Sequence, residues 1–196
     1  PAAVAGTIRF AINAESHPNL YKMTLPGHGF IQRFLRDAVR KGVKIAIVEI
    51  SSESTLQHRH RFLYQNALVF TNLQREHIES HGSFEKYAAK LNIGKELAAS
   101  PKRPRAIIAN KDDVHSAPYF ALPVEEKLPF SYADASAVSL TPGTASFTYK
   151  DTPFSLKLPG GFSIMNALAV IRAAEFVGVP LSDVSKALGA LERIPG

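Results

Sequence analysis

Three short apolar runs constrain this chain more than any other feature. Residues 44–51 (KIAIVEIS), 67–71 (ALVFT) and 105–109 (RAIIA) are β-branched and nearly unbroken by polar residues. Such runs are the signature of strands buried on both faces, as in a parallel sheet. Between and before them the period changes. Apolar pairs recur every four residues as Phe30/Ile31, Phe34/Leu35 and Ala38/Val39, which predicts an amphipathic helix over residues 30–41 that Gly42 ends. Residues 83–99 also read as helix, with Ser83 as N-cap. Strands alternating with helices predict an α/β layered domain with a mostly parallel sheet.

The flanks of this pattern are less regular. Ile8, Phe10 and Ile12 alternate within residues 7–14, predicting a strand, and the Ser, His and Pro of residues 15–19 predict a loop. After Pro123 the character shifts to short strands at residues 136–140, 146–149 and 154–158, separated by Pro-Gly and Lys-Asp-Thr-Pro turns. Phe154, Leu156 and Leu158 alternate with Ser155 and Lys157, so one face is expected to be wet. These strands read as a small antiparallel appendage on the main sheet. Two helices follow Gly160-Gly161, over residues 163–177 and 181–191, with Pro180 at the start of the second.

A length of 196 residues suggests one domain, or one plus a small fragment, with a sizeable core, and 45% hydrophobic with 20% charged residues is ordinary for a globular chain. The absence of cysteine excludes disulfides and thiolate metal sites, and suits a reducing cytoplasm. The first residues are small and apolar but carry no basic leader, and the longest apolar stretch is broken by Asn166, Arg172 and Glu175, so no membrane insertion is expected. A net charge of +6 invites a nucleic-acid reading, but no basic run is interleaved with stacking aromatics. Arg33, Arg36, Arg40, Lys41 and Lys44 instead fit a solvated helix face or an attraction for small anions, and no nucleic-acid partner is expected.

Four groups of residues could carry chemistry. Glu49-Ile50-Ser51-Ser52, followed by Gln57 and Arg59, stands where an apolar strand runs out, the place where ligands bind in open α/β sheets. A carboxylate there needs a partner, a proton or a cation, and the neighbouring hydroxyl, amide and guanidinium groups could hold a phosphate or carboxylate. Spacing leaves equally open a surface Glu beside a surface turn. In the second group, His77 and His81 share a face if helical and could ligate a metal, although Gly82 follows at once. The third, Asn110-Lys111-Asp112-Asp113, reads first as an Asx turn with a helix N-cap. In the fourth, Gly160-Gly161 opens a helix whose Asn166 needs a partner among apolar neighbours.

Taken together and in this order, the four groups resemble the central domain of the Mur ligase family, in particular the branch that extends UDP-N-acetylmuramoyl-dipeptide. The residues that carry the resemblance are Glu49-Ile50-Ser51-Ser52 with Gln57-His58-Arg59, then Phe70-Thr71-Asn72-Leu73 through Glu76-His77 to His81-Gly82, then Asn110-Lys111-Asp112-Asp113 and Gly161-Phe162 with Asn166. It covers nearly all of residues 1–196 and implies an ATP-dependent ligase acting in peptidoglycan synthesis. In that family ATP converts a substrate carboxylate to an acyl phosphate, which an amino acid then attacks. The resemblance assigns Glu49 and His77 to Mg²⁺, and Thr24, Ser51, Gln57 and Arg59 to the UDP-N-acetylmuramoyl-peptide. Asn166 corresponds to a position near the adenine, and Lys90 to a carbamylated catalytic lysine.

Three departures from the family pattern stand out. Its phosphate-binding loop and strand belong just before Pro1, and no Gly-Lys-Ser/Thr occurs in the 196 residues. The family continues beyond Gly196 into a C-terminal domain that selects the amino acid, and a UDP-binding domain precedes the central one. The expectation is therefore a partial central domain, inactive by itself. Finally, Lys90 follows His81 by nine residues where the family has ten, so either a local irregularity restores Lys90 or Lys95 or a plain ammonium takes its place. Folylpolyglutamate synthase, in the same superfamily, and a non-catalytic Mur-like binding module are the alternatives. Gln57 and Arg59 after Ser51-Ser52 favour the UDP-sugar branch.

Overall fold

The first residues pair at once. In the computed structural model, strand β1 (Ala2–Ala5) lies antiparallel to β2 (Arg9–Ile12) on one side and parallel to β4 (Ile45–Val48) on the other. The structure describes residues 1–21, 23–27, 29–73 and 83–192, with residues 83–90 described for their backbone alone. These fall into two compact units. One is built from Pro1–Tyr64 and the first part of helix α3 (Ser83–Ala99), and the other from the chain around β5 (Ala67–Phe70) and from Gly94 onward.

In the first unit β3 (Glu15–Pro18) completes a sheet of order β3-β2-β1-β4. Residues 15–19 were expected to form a loop, and four of them form a strand instead. Asn13 takes the left-handed conformation (φ 56°) between β2 and β3, and main-chain pairing sets Ile12 opposite Glu15. All four β3 side chains are exposed, so no apolar alternation marked it. Helix α1 (Phe30–Arg40) sets Ile31, Phe30, Phe34 and Leu35 against Ala5 and Phe10, with the Phe10 ring 4.9 Å from that of Phe30. Gly42 ends it as expected. At φ 74° it donates to Val39 O while Val43 N reaches Ala38 O at 3.0 Å, the paired bonds of a Schellman cap. Arg33, Arg36, Arg40, Lys41 and Lys44 all face solvent.

The expectation of burial on both faces fails for β4. This strand ends its sheet among the described residues, and Ile47 stays 60% exposed. It holds for β6 (Ala106–Asn110), central in the parallel sheet β5-β6-β7 of the second unit, where Ala106 to Ala109 are all fully buried. Strand β7 (Glu126–Phe130) contains Pro129, which hides it from sequence patterns. An edge strand tolerates the missing N–H, and Pro129 pairs in register with Ala109. Short helix α4 (Ala117–Phe120) stacks Tyr119 on Phe70.

Strands β8 (Ser136–Leu140), β9 (Ala145–Tyr149) and β10 (Thr152–Leu156) pair into a sheet of their own, not an extension of the parallel one. Lys150 and Asp151, both at positive φ, form a two-residue turn, so β10 begins before Phe154 and includes edge residue Pro153. As expected, Phe154 and Leu156 point inward and Ser155 outward. That inner face packs on helix α5 (Gly161–Phe176), whose Ile164, Ala167, Leu168 and Ile171 form one buried stripe with Ile108 and Phe130. Helix α6 (Leu181–Ala190), entered through Pro180, closes this core with Val184.

Candidate substrate and metal site

Strands β1 and β4 run parallel, and their carboxyl ends lie side by side. Glu49, just past β4, anchors its backbone N–H on Ala5 O at 2.8 Å, which brings it beside Gly6-Thr7, just past β1. The Thr7 backbone N–H donates to Glu49 Oε2 at 2.7 Å, and Thr7 Oγ1 donates to Oε1 at 3.0 Å. Gly6 makes the approach possible, because a Cβ there would lie 2.8 Å from Oε2. Glu49 is thus exposed but not loose, its two oxygens held by one residue.

The loop carrying Thr24 arrives at the same place. Thr24 Oγ1 lies 2.9 Å from Thr7 Oγ1, so a single hydroxyl links the residue expected to meet the acceptor with the one expected to meet a cation. Asn19 Nδ2 holds both approaches, donating to Gly6 O and Met23 O at 2.9 Å each. Arg59 fixes the far side of the loop. Its Nη1 donates to Leu25 O at 2.5 Å and approaches Met23 Sδ at 3.1 Å, while Nη2 donates to Gln57 Oε1.

Ser51 is the N-cap of α2 (Ser52–Leu56), in which Gln57 serves as C-cap. Ser51 Oγ accepts from Ser54 N at 3.2 Å, and the Ser51 N–H donates back to Ser54 Oγ at 3.0 Å. Gln57 Nε2 donates to Glu53 Oε1 at 3.1 Å. The structure therefore brings Thr24, Glu49, Ser51, Gln57 and Arg59 onto one unit, with Thr7 at the junction. Thr7 and Asn19 escaped sequence reasoning. The available signal was a Gly-Thr pair directly after a small apolar run.

His77 and His81 lie outside the described residues. Lys90 falls within α3, and its side chain is also outside them. In the second unit Asn110 forms the expected Asx turn, accepting from Asp112 N at 2.9 Å. Asp112 accepts from Tyr132 N and Asp113 from Leu73 N, each at 2.8 Å, so this group ties together the carboxyl ends of β5, β6 and β7. Asn166 is exposed on α5, one turn after the 69% exposed Phe162. Tyr132 flanks the start of that helix, 3.5 Å from where a Gly161 Cβ would stand.

Among the described residues no group of three or more His, Cys, Asp or Glu could hold a metal. One anchored carboxylate still fits Mg²⁺, which is usually held by one or two carboxylates with waters and phosphates completing the shell. An ionised carboxylate offers about four lone-pair sites, and Thr7 occupies two of those on Glu49.

An α/β fold with an acidic and hydroxyl-rich site at parallel strand ends is one that ligand-binding enzymes use. Residues 2–174 match the Mur ligase middle domain, and the chain belongs to that family. It is 31% identical over its whole length to a UDP-N-acetylmuramoyl-L-alanyl-D-glutamate–2,6-diaminopimelate ligase of Geobacter sulfurreducens, covering 40% of that protein. Over 97% of its length it is 32% identical to a UDP-N-acetylmuramyl-tripeptide synthetase of Roseiflexus sp., covering 41% of it. The chain thus spans about two-fifths of the length of the curated relatives it matches. The fold resembles a solved UDP-N-acetylmuramoyl-L-alanyl-D-glutamate–2,6-diaminopimelate ligase (TM-score 0.79, 23% identity, 100% of this chain and 41% of that one). It also resembles MurF from Acinetobacter baumannii (TM-score 0.65, 17% identity, 100% and 40%).

Proposed function

We propose that this chain is the central part of an ATP-dependent ligase that adds an amino acid to a UDP-N-acetylmuramoyl-peptide in the cytoplasm. The observation that carries the reading is the Glu49–Thr7–Thr24 chain at the carboxyl ends of β1 and β4, in a member of a family with such ligases. In this reading Thr24, Ser51, Gln57 and Arg59 hold the acceptor, and Asn166 lies near the adenine. The acceptor carboxylate attacks the γ-phosphorus of ATP, giving an acyl phosphate and ADP. The amine then displaces phosphate at the carbonyl carbon and loses a proton to form the amide. Mg²⁺ held by Glu49 and His77 would neutralise charge on the transferring phosphoryl group. Lys90, once carbamylated, would supply a further carboxylate.

ATP phosphates need backbone amides and a lysine to cradle them, and these 196 residues hold no Gly-Lys-Ser/Thr. We therefore assign catalysis to the longer protein and expect no turnover from residues 1–196 alone. In the intact protein, Glu49→Ala and His77→Ala should each lower Mg²⁺-dependent ligation by more than about 100-fold, beyond what outer-shell partners usually contribute. Their thermal unfolding should stay near wild type. UDP-N-acetylmuramoyl-dipeptide should raise the unfolding temperature and folate should not. Near-normal turnover in both variants would defeat the metal assignment, and stabilisation by folate alone would move the chain to the folylpolyglutamate branch.

A further inference from the structure

The reading above gives Thr7 no chemical role of its own, yet Thr7 touches both of the residues on which that reading depends. We propose that Thr7 is a positioning residue that sets the Glu49 carboxylate for a cation and couples it to Thr24. This rests on the assignment of Glu49 to a divalent cation and of Thr24 to the acceptor.

The geometry favours this role over a simple turn contact. A carboxylate accepts only, so the single hydroxyl proton of Thr7 goes to Glu49 Oε1. The 2.9 Å contact with Thr24 must then be donated by Thr24, whose proton is thereby committed. Thr24 Oγ1 keeps only acceptor capacity and suits an N–H or O–H of the bound peptide or sugar rather than a phosphate oxygen. Glu49 in turn has one oxygen fixed by the Thr7 amide and the other by its hydroxyl, so the carboxylate plane cannot rotate without breaking one bond.

The frame behind Thr7 is itself secured. Gly6 N donates to Arg9 O at 3.0 Å, and Gly6 O accepts from Asn19, which also holds Met23 one residue before Thr24. Thr7 and Glu49 are both exposed, where water competes for each hydrogen bond and the net gain in stability is small. Orientation of the carboxylate is the larger consequence of the contact.

The test uses the intact protein, with Mn²⁺ alone as the probe in an electron paramagnetic resonance titration, together with steady-state kinetics. Thr7→Val keeps the shape and the amide bond but loses the hydroxyl. It should weaken Mn²⁺ binding about 10-fold, the low end of the ~10–100-fold typical when a ligand loses its orienting partner. It should also raise KM for the acceptor. Thr7→Ser should restore both to within about threefold, since an orienting hydroxyl is all that is required. Gly6→Ala, which keeps the hydroxyl but crowds Oε2, should also weaken Mn²⁺ binding. Unchanged Mn²⁺ affinity in Thr7→Val, or Thr7→Ser as impaired as Thr7→Val, overturns the proposal. If Glu49→Ala also leaves Mn²⁺ affinity unchanged, the metal reading falls as well. If only Glu49→Ala weakens it, that reading stands and Thr7 loses its role.

Discussion

Arg105 is charged and only 8% exposed, and Glu125 is the residue that makes this tolerable. The carboxylate accepts from Arg105 Nε at 3.0 Å, from Nη2 at 2.7 Å and from its backbone N–H at 2.8 Å. The guanidinium of Arg105, beside it, lowers the Glu125 carboxyl from the ordinary 4.5 to about 2. A carboxyl that binds its proton less readily when folded stabilises the fold above its unfolded value. That contribution is complete above about pH 4.5 and is lost as the pH falls toward about 2. Glu125→Gln should therefore lower the urea midpoint at pH 7 and flatten its fall between those two values. An acid limb as steep as wild type would remove this pair from the account. At the same scale the sequence named Glu49, Thr24 and Arg59 but not the atoms they meet. Arg59 was expected to hold a ligand, and its guanidinium is seen on the residues either side of Thr24, the Leu25 carbonyl and the Met23 sulfur.

Elements were legible where side chains repeat and hidden where the main chain alone pairs them. Helix α1 and strands β5, β6, β8 and β9 follow from period and β-branching within a residue or so. Strand β3 has four exposed side chains, and β7 and β10 contain prolines that count against a strand unless it lies at an edge. Helix α3 raises a question of phase. Lys90 stands nine residues after His81 rather than ten, and one residue turns a helical side chain by about 100 degrees. If Lys90 is the carbamylated lysine, Lys90→Ala in the intact protein should lose ligation and regain part of it with acetate or formate. Rescue of Lys95→Ala in its place would transfer the role to Lys95.

On the scale of the whole molecule, the described residues form two compact units, and the second carries the predicted parallel sheet and helices together with the antiparallel strands. The larger core gathers α5, α6, the antiparallel sheet and one face of the parallel sheet around Ile108, Phe130, Phe147 and Leu168. Leu168 is fully buried there, and Leu168→Ala should cost about 2–5 kcal/mol in chemical denaturation. Val138→Ala, at a 36% exposed position, should stay close to ~0.5 kcal/mol, the usual limit for surface changes. Equal losses at both sites would contradict the assigned core. By itself the sequence determined the α/β class, most of the elements and the family, because period, turn chemistry and motif order are properties of neighbouring residues. Only the tertiary structure decided that, among the described residues, β6 is central while β4 ends its sheet, and that Thr7 joins Glu49 and Thr24. Those partners lie 42 and 17 residues away in sequence. Strand order and carboxylate contacts depend on which distant segments pair, and no local pattern encodes that choice.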